Sequence, residues 1–118
     1  MKGVHTALIT PFVEGRLDRD AFQRLARRQI NAGVAGLVPC GTTGETPTLT
    51  REEWADCIEM AVKAAAGNAM VTAGVGTNCT RTTMENCQAA RELGANAGLI
   101  VLPYYNKPNP DGHVAHLA

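Results

Sequence analysis

Aromatic side chains are scarce in this sequence, at 4% of its 118 residues. The core cannot rest on large rings. It must be built from small and aliphatic side chains, which are plentiful, since 45% of the residues are hydrophobic. With 19% charged residues, that balance suits a globular domain and argues against disorder. An excess of one charge is also missing, because 11 basic and 11 acidic residues cancel. No net field draws the chain to nucleic acid or to an anionic membrane, and neither is expected as a partner. The one local basic cluster, Arg24, Arg27 and Arg28, falls on a predicted helix and reads as its solvated face. No run of about 18 apolar residues occurs, which excludes a membrane-spanning helix. The N-terminus lacks the apolar stretch of a signal peptide. A cytoplasmic location is the expectation.

Paired-cysteine motifs are absent too. Cys40, Cys57, Cys79 and Cys87 form no C-x-x-C pair, and no histidine stands at zinc-finger spacing from them. Reduced thiols are expected, with no metal and no cofactor. Cys57 and Cys87 fall on apolar helix faces as small core residues. No Gly-Lys-Ser/Thr follows the glycine-rich turn, which excludes a phosphate loop. Gly74 and Gly76 stand at dinucleotide spacing, but Cys79 holds the third position. That leaves a nucleotide-binding module only a weak alternative.

Apolar segments and helical patterns alternate along the chain. Val4–Ile9 reads as a strand, stopped by Thr10-Pro11, and Glu14-Gly15 marks a turn. Asp18 is a helix N-cap, and Phe22, Leu25, Ala26 and Ile30 trace a buried face that ends at Gly33. Gly36–Cys40 is a second strand. Thr50-Arg51-Glu52-Glu53 matches a capping box, and the helix it opens buries Trp54, Ile58, Ala61, Val62 and Ala65 before Gly67. Met70–Gly74 is a third strand. A third helix runs from about Thr80 to Leu93, with Met84, Cys87, Ala90 and Leu93 inward. Gly98–Leu102 is a fourth strand, and Pro110-Asp111-Gly112 leads into a fourth helix. Each strand–helix unit takes about 30 residues, the size of a βαβ module. The pattern is α/β with a parallel sheet and right-handed crossovers. Two architectures fit it: part of a (β/α)8 barrel, which needs about 250 residues, or a small flavodoxin-like sheet.

Loops at the carboxyl ends of such strands are where ligands bind, and three of them carry chemistry. The first holds Thr10-Pro11. The second is Gly41-Thr42-Thr43-Gly44-Glu45. Its glycines are expected to adopt angles closed to other residues and to admit a ligand to the backbone N–H groups. The fourth holds Tyr104, Tyr105, Asn106 and Lys107. Threonine and tyrosine hydroxyls donate and accept, so a Thr–Tyr chain can pass a proton. The turn's N–H groups and a threonine hydroxyl suit a small carboxylate such as that of a 2-oxo acid. Plainer roles compete. The threonines can simply cap the loop, the tyrosines can pack at an interface, and Glu45 can fix the turn by accepting N–H groups. Lys107 reads as a solvated loop lysine, His5 as a structural residue of the first strand, and His113 and His116 as helix residues without metal partners.

Thr10-Pro11-Phe12, Gly41-Thr42-Thr43-Gly44-Glu45 and Pro103-Tyr104-Tyr105-Asn106-Lys107-Pro108 occur in this order and at characteristic separations. Together they resemble the N-terminal part of the 4-hydroxy-tetrahydrodipicolinate (dihydrodipicolinate) synthase family, within the pyruvate-dependent class I aldolases. The resemblance runs from about Gly3 to Ala118. It implies a (β/α)8 barrel, with residues 1–118 forming the N-terminal part of that single domain: three βα units, strand four and the start of helix four. It also implies a lyase that condenses pyruvate, held as a Schiff-base enamine, with aspartate 4-semialdehyde in lysine and diaminopimelate biosynthesis. Thr43 then contacts the pyruvate carboxylate. Thr42 and Tyr105 join a proton relay with a second, downstream tyrosine. Tyr104 and Tyr105 lie at a tight dimer interface within a tetramer, with Tyr105 reaching into the neighbour's site.

Two departures qualify the resemblance. The chain ends before the family's Schiff-base lysine and second relay tyrosine, and Lys2, Lys63 and Lys107 do not occupy the nucleophile position. By itself the chain is expected to lack synthase activity. The alternative is a non-catalytic half-barrel that binds a small carboxylate or self-associates. The second departure concerns lysine feedback: Asn78 and Tyr104 match lysine-sensitive members, but Arg51, Trp54 and Thr82 replace ligands used there, so the resemblance does not carry feedback over.

Overall fold

Residues 2–118 are described by a computed structural model. Its elements start and stop where side-chain chemistry directs. Strand β1 (His5–Ala7) leads into a hairpin of β2 (Phe12–Val13) and β3 (Arg16–Leu17). The hairpin turns through Glu14 and Gly15, at φ 49° and 73°, the left-handed pair that a two-residue hairpin loop requires. The turn was expected; its flanking strands, two residues each, are too short to show a period. Helix α1 (Arg19–Asn31) opens on Asp18, whose carboxylate accepts the Ala21 N–H at 2.9 Å. Gly33, at φ 83°, carries the chain out of it.

Strand β4 (Gly36–Val38) is followed by helix α2 (Arg51–Ala65) and strand β5 (Met70–Gly74). The capping box of α2 is complete. Thr50 Oγ1 accepts the Glu53 N–H at 3.2 Å, and the Glu53 carboxylate accepts the Thr50 N–H at 2.8 Å. Helix α3 (Thr80–Glu92), strand β6 (Ala97–Leu99) and helix α4 (Pro110–Leu117) complete the order. The side chain of Asn109 caps α4 by accepting the Gly112 N–H at 2.9 Å. Three strands are shorter than their apolar runs, and β1 covers only His5–Ala7 of the expected Val4–Ile9. Strand β4 ends at Val38, because Cys40 turns left-handed at φ 56°. Strand β6 ends at Leu99, whose carbonyl takes both the Val75 and the Gly76 N–H, at 3.0 and 3.2 Å, leaving no further ladder rung.

The sheet order is β1-β4-β5-β6, parallel throughout. In the pleat, Leu37, Val71, Ala73 and Val75 point to one side. There they join Phe22, Ala26, Trp54, Ile58 and Ala61 of the helices in one buried cluster. His5, Ala7, Val38, Thr72 and Leu99 point to the other, concave side, following the registers His5↔Gly36↔Met70 and Gly74↔Leu99. Strands in sequential order with helices on one face make an arc of a (β/α)8 barrel. A flavodoxin-like sheet reverses its strand order and covers both faces, so that alternative is set aside. One expected core residue is not in the core: Met84 is 67% exposed. The inward stripe of α3 instead passes through Thr83, Cys87 and Ala90, to one side of Met84.

Candidate functional site

The turn after β4 is a pair of short 3-10 segments, Thr42–Gly44 and Thr46–Thr48, joined at Glu45. Gly44 N–H donates to the Gly41 carbonyl at 3.0 Å, and Glu45 N–H to the Thr42 carbonyl at 3.1 Å. Backbone strain does not fall where the sequence suggested. Gly41 is ordinary extended chain at φ −79°. The left-handed residues are Cys40 and Glu45, at φ 56° and 55°. Gly44 is needed for closeness instead: a Cβ there would lie 3.1 Å from the Leu8 carbonyl oxygen and 3.2 Å from Thr10 Oγ1.

That closeness comes from the first loop. Thr10, buried behind the turn, donates its hydroxyl to the Gly44 carbonyl at 2.7 Å. It fastens the end of β1 to the tip of the second loop. Thr10 was legible as a furnished loop residue, but this clamping role was not. On the other side the backbone of Cys40 packs directly on Gly74, where any Cβ would collide with the Cys40 carbonyl. Trp54 Nε1 donates to the Gly74 carbonyl at 2.9 Å, so α2 holds the end of β5 as well. The Cys40 thiol sits beside Cys57 and donates toward the Trp54 carbonyl at 3.7 Å. Its hydrogen bond with Cys57, then burial, push its pKa far up, so it is a packing thiol at neutral pH. Cys79 differs. It is exposed at the start of α3, and hydrogen bonds from the Thr82 side chain and backbone hold its pKa below the usual thiol value.

Held this way, the turn presents Thr42 and Thr43 outward. Both are exposed, and neither their hydroxyls nor their backbone N–H groups have an acceptor among the described hydrogen bonds. Glu45 is exposed, so its carboxylate is not a buried turn fastener; its backbone carbonyl takes the Thr48 hydroxyl at 2.9 Å. Thr42, Thr46, Pro47, Gly76, Val101 and Tyr104 line a cavity of about 170 Å³. The tyrosine that shares a cavity with Thr42 is therefore Tyr104. Tyr105 is 90% exposed at φ 65° and points away from the chain's own surface. The structure does not bring Thr42 and Tyr105 together. The fourth loop is fastened instead to the one after β5, where Asn106 Nδ2 donates to the Asn78 carbonyl at 3.2 Å.

A larger cleft of about 450 Å³ runs between α2, α3 and Tyr104. Arg51 stacks over the Trp54 ring at 4.5 Å and bonds Asn86 Oδ1 on its wall. Lys63 lies exposed on α2, and Lys107 is exposed in the fourth loop at φ 37°. His5 is in β1 as expected, with both ring nitrogens closed off from solvent and without a partner. No helix of the described residues is long and apolar enough to cross a membrane.

Known proteins share this arrangement. The 4-hydroxy-tetrahydrodipicolinate synthase of Phenylobacterium zucineum is 50% identical over 115 residues, which are 98% of this chain and 39% of that protein. The enzyme of the same name from Maridesulfovibrio salexigens is 47% identical over the same shares. Among solved structures, dihydrodipicolinate synthase from Aquifex aeolicus superposes with a TM-score of 0.94 at 46% identity, covering 98% of this chain and 40% of that one. The Acinetobacter baumannii dihydrodipicolinate synthase complexed with pyruvate does so with a TM-score of 0.95 at 38% identity, with coverage of 98% and 40%. The chain thus spans about 39% of the length of the relatives it matches. The profile of the dihydrodipicolinate synthetase family matches residues 1–118, and the chain belongs to that family.

Proposed function

We propose that this chain forms the carboxylate-holding and proton-relaying side of a lyase site that condenses pyruvate with aspartate 4-semialdehyde, in lysine and diaminopimelate biosynthesis. The observation that carries the proposal is the state of the second loop. Thr10, Gly44 and the Cys40–Gly74 contact fix its backbone, yet Thr42 and Thr43 keep their hydroxyls and N–H groups unspent. A rigid turn with free donors is prepared for an anion. Thr43 donates to the pyruvate carboxylate, and Thr42 passes a proton. The pyruvate complex of the Acinetobacter baumannii relative supports the choice of anion.

Tyr105 serves in the relay of a neighbouring subunit and Tyr104 in the contact between subunits, within a homo-oligomer. The outward pose of Tyr105 supports this: it is 90% exposed on a left-handed backbone, and its side chain makes none of the described hydrogen bonds. The Schiff-base amine is not among Lys2, Lys63 and Lys107. Lys63 sits on the helix layer and Lys107 on the exposed loop. By itself the 118-residue chain therefore binds pyruvate without activating it.

Two measurements test this. Titration with pyruvate, followed by amide NMR, should shift Thr42 and Thr43. Thr43→Ala should weaken binding roughly tenfold to a hundredfold, the worth of one hydrogen bond to a charged group. Treatment with pyruvate and borohydride should leave the intact mass unchanged. A specific adduct at Lys107 would overturn the placement of the nucleophile, and unshifted threonine amides would overturn the carboxylate site.

A further inference from the structure

Two buried cysteines, Cys40 and Cys57, meet behind the second loop. Leu37 of β4 faces the helices and Val38 the concave side. Alternation would send Cys40 to the concave side with Val38. Its left-handed backbone, at φ 56°, breaks that alternation and turns the thiol toward α2. There Sγ reaches the Trp54 carbonyl at 3.7 Å. Cys57 stands three residues after Trp54, so its side chain projects from the same face of the helix. The two thiols share a hydrogen bond, closed off from solvent among apolar side chains. A non-glycine residue at positive φ is strained and persists only where its surroundings hold it. Here the thiol is held by α2, and the Cys40 carbonyl is packed on Gly74. Cys40 leads directly into Gly41, and so into the turn that presents Thr42 and Thr43.

We propose that Cys40 and Cys57 are a reversible redox switch, in which a disulfide between them displaces the turn they support and, given the carboxylate site proposed above, weakens its grip on that ligand. The oxidant is a small peroxide, hydrogen peroxide being the simplest, because both thiols are closed to bulky reagents. Cys57 reacts first: its hydrogen bond with Cys40 holds its pKa below the usual thiol value, against the opposing effect of burial. Its sulfur attacks one peroxide oxygen. The S–O bond forms, the O–O bond breaks, and the departing oxygen leaves as water with the thiol proton. The Cys40 sulfur then attacks the sulfenic sulfur of Cys57. The S–S bond forms, the S–O bond breaks, and a second water carries away the Cys40 proton. Two thiols have lost two electrons and two protons, and the peroxide has been reduced to water. Exchange with a reducing dithiol restores the pair. Bonded sulfurs lie closer than hydrogen-bonded ones, so the disulfide draws Cys40 away from the Trp54 carbonyl. Its backbone follows off Gly74, and Gly41 moves with it.

Hydrogen peroxide treatment of the folded protein, followed by tryptic mapping without reductant, tests the bond. Each cysteine falls in its own peptide: 29–51 for Cys40, 52–63 for Cys57, 64–81 for Cys79 and 82–91 for Cys87. Peptides 29–51 and 52–63 should appear joined, and a reducing dithiol should separate them. Cys40→Ala and Cys57→Ala should each abolish the joined pair, and should one of them fail to fold, the other decides. Cys79→Ala, at the exposed thiol, should leave the pair intact. Amide NMR tests the displacement. The Gly41, Thr42 and Gly44 signals should move on oxidation of the unaltered protein and stay in place in Cys57→Ala. Pyruvate should bind the oxidised form roughly tenfold more weakly than the reduced form, the worth of about one hydrogen bond to a charged group. Peptides that stay separate, a joined pair that leaves the turn amides unmoved, or equal pyruvate binding in both forms would overturn the proposal. A reduced protein that ignores pyruvate would instead refute the carboxylate site, and the turn amides would still decide the switch.

Discussion

One hydroxyl decides how firmly the candidate site is held. Thr10 is 6% exposed, and its 2.7 Å bond to the Gly44 carbonyl is its link to the second loop. Thr10→Val keeps the shape but strands a buried carbonyl, which costs about 1–3 kcal/mol. Chemical denaturation should show that loss, and Thr10→Ser should recover most of it. Pyruvate binding should weaken in the valine variant only, because the turn loses its support rather than a ligand contact. At this scale the sequence was partly readable. It identified Thr42 and Thr43 as the available hydroxyls. It could not show that Cys40 and Glu45, rather than the two glycines, take the left-handed angles. Nor could it show that Tyr104, not Tyr105, faces Thr42. Both depend on packing between loops far apart in the chain.

Elements announce themselves through their caps. Asp18, Thr50 with Glu53, and the glycines after α1, α2 and α3 all stood in the sequence as start and stop signals and act as such. Thr50→Ala should destabilise the fold by about 1 kcal/mol. The single tryptophan, Trp54, lies on the same helix and is 5% exposed, so its fluorescence reports the transition directly. Strand ends were less readable, because an apolar run continues past the last ladder bond. Ile100, Val101 and Leu102 are as aliphatic as Leu99, yet only Leu99 meets a partner in β5. The pairing neighbour sets that limit, and a single segment does not contain it.

For the molecule as a whole, repetition gave the class, and strand order distinguished barrel from open sheet. Four similar units imply parallel strands; that the strands lie in sequence order with α1, α2 and α3 on one side is a fact of assembly. A ligand that binds only the folded state raises its stability by mass action. The thermal midpoint should therefore climb with pyruvate concentration, and Thr43→Ala should flatten that dependence. Scanning calorimetry over a hundredfold range of pyruvate concentration distinguishes the two behaviours.

The pleat divides these strands by parity. Leu8, Leu37, Val71, Ala73 and Val75 bind sheet to helices, while Ala7, Ile9, Val38, Leu99 and Val101 alternate with them on the concave face. Two packing surfaces are thus written in interleaved letters of the same strands. A slip of one residue in the pairing would exchange the two sets and turn the helix-facing side chains inward, so both faces together fix the register.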